Sequence, residues 1–143
     1  LTNMGKNQIN PKVDPKALAL IAIRDLEDAE WNDIDDNNIF NYVPARLLNK
    51  TMEQVAAETL EYLEDCDLIY ISFDVDSMDP SVSVGTGTSV PNGLTLENAK
   101  SLLEQLYKSP KIAALEITEI NPLIDQNNKM AKAALDIMHH LLV

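Results

Sequence analysis

Three apolar runs, residues 17–23, 68–73 and 111–117, alternate along this chain with segments of helical periodicity. Each run is too short to stand as a helix and has the usual length of a strand. Residues 51–64 place Met52, Val55, Ala56, Thr59, Leu60 and Leu63 on one helical face, behind a Thr51–Gln54 capping-box pattern. Thr95 caps a second helix with Leu96, Ala99, Leu102, Leu103 and Leu106 inward, ended by Ser109-Pro110. Residues 125–128 offer caps for a last helix, with Met130, Ala133, Ala134, Ile137, Met138 and Leu141 on one side. Strand and helix in alternation predict an α/β fold, a parallel sheet with right-handed crossovers and helices on its faces. Ligands of such sheets bind beyond the C-terminal ends of the strands.

The remaining segments fit around that frame. Residues 1–16 are polar, carry Pro11 and Pro15, and read as a loop. Residues 24–38 hold Asp25, Glu27, Asp28, Glu30, Asp33, Asp35 and Asp36. They read as a solvated loop or a short surface helix, with one or two acids turned toward a ligand. Residues 39–43 are a further short strand stopped by Pro44, 65–67 a turn, and 80–93 an irregular loop of Ser, Thr, Gly and Pro. With 143 residues and 45% hydrophobic composition, one domain is expected. A formal net charge of −12 speaks against nucleic acid or an anionic membrane as partner and suits binding of cations. The single cysteine, Cys66, allows no internal disulfide and points to a reducing, cytoplasmic setting. Residues 1–15 lack the apolar stretch of a secretory signal. The first residue is Leu rather than Met, so the chain is expected to begin inside a longer one.

The densest chemistry follows the second run, in Ser72-Phe73-Asp74-Val75-Asp76-Ser77-Met78-Asp79-Pro80. Asp74 and Asp76 share a face of the strand end, as two ligands of a hard divalent metal would. A calcium loop of the EF-hand type is excluded, because positions five, six and twelve from Asp74 are Met78, Asp79 and Gly85. Asp79 is expected to cap the turn at Pro80. Gly85-Thr86-Gly87-Thr88 matches neither the dinucleotide nor the nucleotide-phosphate fingerprint. It reads as a tight loop presenting a Thr hydroxyl. Glu116 and Glu119 lie at the end of an otherwise apolar strand, where a buried acid calls for a cation; a guanidinium matches a carboxylate best. The simpler reading is a surface salt bridge. His139 and His140 sit in the last helical turn, where they favour the helix dipole and need no metal.

Together these motifs resemble the ureohydrolase family of arginases, agmatinases and formimidoylglutamases, and arginases most. The aspartate stretch is similar to the family's second metal signature, Thr86-Gly87-Thr88 with Gly93-Leu94-Thr95 to its substrate loop, Glu119-Ile120-Asn121-Pro122 to the Glu-Val-Asn-Pro of arginases, and Ile23-Arg24-Asp25 to an earlier strand end. The likeness runs from Ala17 to the C-terminus. It implies an arginase-like three-layer α-β-α fold, with all 143 residues as the C-terminal portion of a single domain. It implies two manganese ions, with Asp74 and Asp76 as ligands, Glu119 receiving the substrate guanidinium, Thr88 beside it, and Glu27 toward the substrate's α-amino end. It also implies a small guanidino substrate and a trimer or hexamer. Agmatine or formimidoylglutamate hydrolysis, and a non-catalytic assembly half, are the alternatives. Three departures stand out: Ser89 replaces a Pro, Asn92-Gly93 replaces Gly-Gly, and the family's Asp-x-His-x-Asp signature and upstream metal His occur nowhere. In the family's sheet order a strand from the absent half lies between strands present here.

Overall fold

The computed structural model describes residues 12–143. Its elements are β1 (Ala19–Ile21), α1 (Asp28–Asp36), β2 (Phe40–Tyr42), α2 (Pro44–Leu47), α3 (Met52–Tyr62), β3 (Ile69–Asp74), α4 (Leu96–Tyr107), β4 (Ile112–Thr118) and α5 (Lys129–Leu142). Short 3-10 turns occupy Pro15–Ala17, Val75–Ser77 and Gln126–Asn128. Of the expected N-terminal loop, residues 1–11 lie outside the described residues, and Pro15–Ala17 forms one of these turns. That turn also shortens β1 relative to the apolar run. Ala22, at φ 63°, ends the strand on the other side.

The helix starts follow local hydrogen bonding. At α3, the Gln54 amide donates to the Thr51 hydroxyl (3.3 Å) and the Thr51 amide to the Gln54 side chain (2.9 Å). The Asn98 amide donates to the Thr95 hydroxyl at α4 (3.1 Å). At α5, the Asp125 carboxylate accepts from the Met130 and Ala131 amides (2.8 and 3.0 Å). Each bond satisfies an amide that the first turn leaves without an intrahelical partner. The acidic stretch 24–38 resolves as the surface helix α1. Its first turn holds Asp28 and Glu30, favourable against the positive helix end, and only Ile34 is buried.

Among the described residues all strand pairing is parallel. β1 pairs with β2, Ala19 opposite Phe40, and β3 pairs with β4, Phe73 opposite Ile117. Among the described residues no ladder joins β1 to β3. A cavity of about 440 Å³ lies between them, lined by Ala19–Leu26 of one and Ile69–Asp74 of the other. The core collects Val55 and Ala56 of α3, Phe73, Leu102, Leu103 and Leu106 of α4, and Met130 and Ile137 of α5. That helical layer covers one face of β3–β4. The opposite face carries Tyr70, Ser72, Ala114 and Glu116, all exposed. The apolar run 68–73 forms the strand expected of it, and its burial alternates, because α3, α4 and α5 pack on one side.

Candidate active site

Asp74 is the last residue of β3, and the chain then turns through Val75–Ser77. The Asp76 amide donates to Asp74 Oδ1 (2.9 Å), and the Ser77 hydroxyl donates to the Asp74 carbonyl (2.6 Å). Val75 and Met78 are fully buried, so the turn anchors its apolar side chains in the core. Both Asp74 and Asp76 line the cavity between β1 and β3. Burial, the Asp74 charge and the Asp74 hydrogen bond push the Asp76 carboxyl up to about 6. Glu119 adds to this rise and Arg24 opposes it. Converging carboxylates that resist joint ionisation are what a hard cation relieves. Two carboxylates of this kind suit a hard divalent cation and supply only part of its ligand set. Among the described residues no group of three or more His, Cys, Asp or Glu is placed to hold a metal ion.

Arg24, two residues past the turn of the chain at Ala22, lies against this turn. Its guanidinium donates to the carbonyls of Ala22 (3.2 Å), Ser77 (3.3 Å), Met78 (3.1 Å), Val90 (2.8 Å) and Asp76. Asp79 has the structural part expected of it: its carboxylate accepts from the Ser81 and Asn92 amides (3.0 and 3.1 Å). The Leu94 amide donates to the Ser77 carbonyl (2.9 Å) and the Asp79 amide to the Leu94 carbonyl (2.8 Å). This close approach requires glycine at 93, where a Cβ would lie 2.4 Å from the Met78 carbonyl carbon. Within the Thr-Gly-Thr loop, Thr86 is buried with its hydroxyl unpartnered, whereas Thr88 is exposed and lines the cavity. The loop is joined to the β4 side through the Asn121 amide, which donates to the Gly85 carbonyl (2.7 Å).

Glu119 stands one residue beyond β4, at φ 65°. A left-handed backbone is uncommon for glutamate and marks a place where the chain accepts strain. Its carboxylate is exposed and close enough to Asp76 to act on its ionisation. Glu116 corrects the expectation of a buried acid seeking a cation. It lies on the open face of the sheet and accepts from the Ser72 hydroxyl (2.7 Å). Glu27 is the N-cap of α1 and exposed; Asp25 lines the cavity and Glu27 does not. His140 lies on the helical layer, its Nε2 3.2 Å from Glu104, a partner invisible in the sequence because it comes from α4. The hydrogen bonds of Arg24 were also missed: the sequence shows its motif, but all the carbonyls it binds except that of Ala22 lie more than fifty residues away.

The arginase family profile matches residues 4–143. The arginase of Bacillus subtilis (strain 168) is 33% identical over 132 residues, covering 92% of this chain and 45% of that protein. Among solved structures, the arginase of Bacillus caldovelox superposes with a TM-score of 0.86 at 34% identity, over 92% of this chain and 44% of that one. An Entamoeba histolytica arginase solved with L-ornithine gives a TM-score of 0.86 at 29% identity, over 91% of this chain and 44% of that one. The chain thus spans less than half the length of these relatives. Matched along nearly its whole length in sequence and in fold, the chain belongs to the arginase family.

Proposed function

We propose that the intact protein hydrolyses a guanidino C–N bond, converting L-arginine to L-ornithine and urea in a manganese-dependent reaction. The observation that carries this reading is the meeting of Asp74, Asp76 and Thr88 on one cavity, with Glu119 near enough to raise the Asp76 pKa. Asp74 and Asp76 would hold manganese, together with ligands this sequence does not contain. Manganese, when bound, supplies the Lewis acidity that makes water nucleophilic near neutral pH. A guanidinium is a poor electrophile, so placing it accurately matters as much as activating the water. Glu119 would receive the guanidinium, Thr88 would hydrogen-bond beside it, and Glu27 would act farther out, toward the substrate's α-amino end. The relative solved with L-ornithine supports that substrate class.

We assign all 143 residues to the C-terminal portion of one ureohydrolase domain. A strand from the other portion would occupy the cleft between β1 and β3 and pair with both. A trimer or hexamer and a cytoplasmic setting complete the reading; among the described residues no helix is long and apolar enough to cross a membrane. The test is product release, with urea and formamide measured against arginine, agmatine and formimidoylglutamate. The 143-residue chain alone is expected to release neither product, and the longer protein containing it to release urea from arginine. Robust urea release by the chain alone overturns the divided site. Formamide release, or urea from agmatine alone, overturns the substrate.

A further inference from the structure

We propose that Arg24 is a positioning residue that locks the Asp74–Asp76 turn to the loop bearing Thr88, so that carboxylate pair and hydroxyl hold one geometry. The proposal rests on the functional reading of those residues but is argued from the hydrogen bonds of Arg24 alone. A guanidinium carries five N–H donors in a rigid plane and no acceptor. Among the described residues every hydrogen bond it makes ends on a backbone carbonyl. Those carbonyls come from three segments: Ala22 at the end of β1, Asp76 to Met78 in the turn, and Val90 in the loop. Val90 receives two of the donors, Nε at 3.0 Å and Nη2 at 2.8 Å. None of these bonds goes to the Asp74 or Asp76 carboxylate, so Arg24 does not occupy either one. A lysine, a single nitrogen with three donors, keeps the charge and cannot span three segments. That separates a positioning part from a purely electrostatic one.

The experiment compares Arg24→Lys and Arg24→Met with wild type in the 143-residue chain, with Arg46→Met as the control for loss of an arginine charge away from this turn. Residue-resolved amide exchange is read at Asp76, Asp79, Asn92 and Leu94, and at Val55 and Ala99 in α3 and α4 as internal references. Both Arg24 variants are expected to speed exchange at the first four amides about tenfold, leaving the references unchanged. Should Arg24→Met fail to fold, Arg24→Lys reads the same amides. Wild-type exchange in Arg24→Lys, acceleration confined to one of the two segments, or equal acceleration at the reference amides overturns the proposal. A parallel titration with Mn²⁺, followed by its electron paramagnetic resonance, is expected to show about tenfold weaker binding in both Arg24 variants than in Arg46→Met. If wild type binds no Mn²⁺, the metal reading of Asp74 and Asp76 fails in this chain, and the exchange data still decide the part played by Arg24.

Discussion

The two faces of the β3–β4 pair are made by alternate residues of the same strands and could hardly differ more. On one, Ile69 and Phe73 are buried under α3, α4 and α5. On the other, Tyr70 and Ser72 gather around Glu116, in water. All-parallel sheets are normally covered on both sides. A chain that seals one face holds its shape through that face alone. The open face and the cleft beside β1 are then surface left over for contact, and substitutions on the two sides should differ sharply in cost. Phe73→Ala removes a ring from the shared core and is expected to cost about 3–5 kcal/mol in urea unfolding, enough to unfold most of a marginally stable chain. Tyr70→Ala on the other face is expected to cost a small fraction of that. Equal costs would mean that the second face is also sealed in solution, by self-association that sedimentation would reveal.

The same contrast runs between two glycines of the site loop. At Gly93 a Cβ meets the backbone of Met78 and Asp79 at 2.4 and 2.5 Å, atoms that cannot swing aside. At Gly87 it meets nothing within 4 Å. Gly93→Ala is expected to cost about 1–3 kcal/mol, on the scale of other overpacked sites, and to break the Met78–Leu94 pairing. Gly87→Ala should fall within about 0.5 kcal/mol of wild type in the same denaturation experiment. A neutral Gly93→Ala would show that the turn and the loop are not held against each other, and would remove the footing of the Arg24 lock as well.

Much of this was legible in the sequence. Helices α3, α4 and α5 follow from apolar periodicity and from caps at Thr51, Thr95 and Asp125, because both signals are local. The end of β3 at Asp74 was legible because the apolar run fixes where the strand stops; Asp76 lies past it in a 3-10 turn, where strand alternation no longer applies. What escaped reading depends on distant segments. Whether the run 68–73 is covered on one face or two is decided by how many helical layers the chain supplies. Whether Glu116 is buried is decided by the same thing. The five carbonyls around Arg24 come together only after folding. The acids of 24–38 show no helical apolar face, since α1 buries little besides Ile34.

A third effect belongs to the carboxylate pair. In the metal-free chain, Asp76 should titrate near 6, above its ordinary 3.8, in a carboxyl NMR titration. A folded-state pKa raised in this way means that the folded chain binds the proton more tightly than the unfolded one. The carboxyl therefore withdraws stability as pH rises from about 4 to about 6 and leaves it flat outside that window. Asp74→Asn removes the neighbouring charge and should lower the Asp76 midpoint, without returning it fully, because burial is the larger cause. A midpoint unmoved by Asp74→Asn would mean that the two carboxylates do not face the same point.

The smallest effect expected lies on the open face, and it tests the contrast most finely. The hydroxyls of Tyr70 and then Ser72 hold the Glu116 carboxyl below its ordinary range by donating to its charged form. Tyr70→Phe should therefore raise the Glu116 midpoint more than Ser72→Ala does, and neither should shift the unfolding midpoint measurably. The sign is that of a lowered acid: whatever these hydroxyls add to stability is present above the unfolded pKa and lost as pH falls through the folded one. Because the carboxyl stands in water, solvent competes for the same bonds and screens the charge, so the shift in titration carries little stability with it. The Asp76 carboxyl is raised by burial beside a like charge, whereas Glu116 is lowered by donors in the open. If Tyr70→Phe or Ser72→Ala proved strongly destabilising, Glu116 would have to be shielded from water. The open face would then be covered in solution, as the faces of complete parallel sheets are.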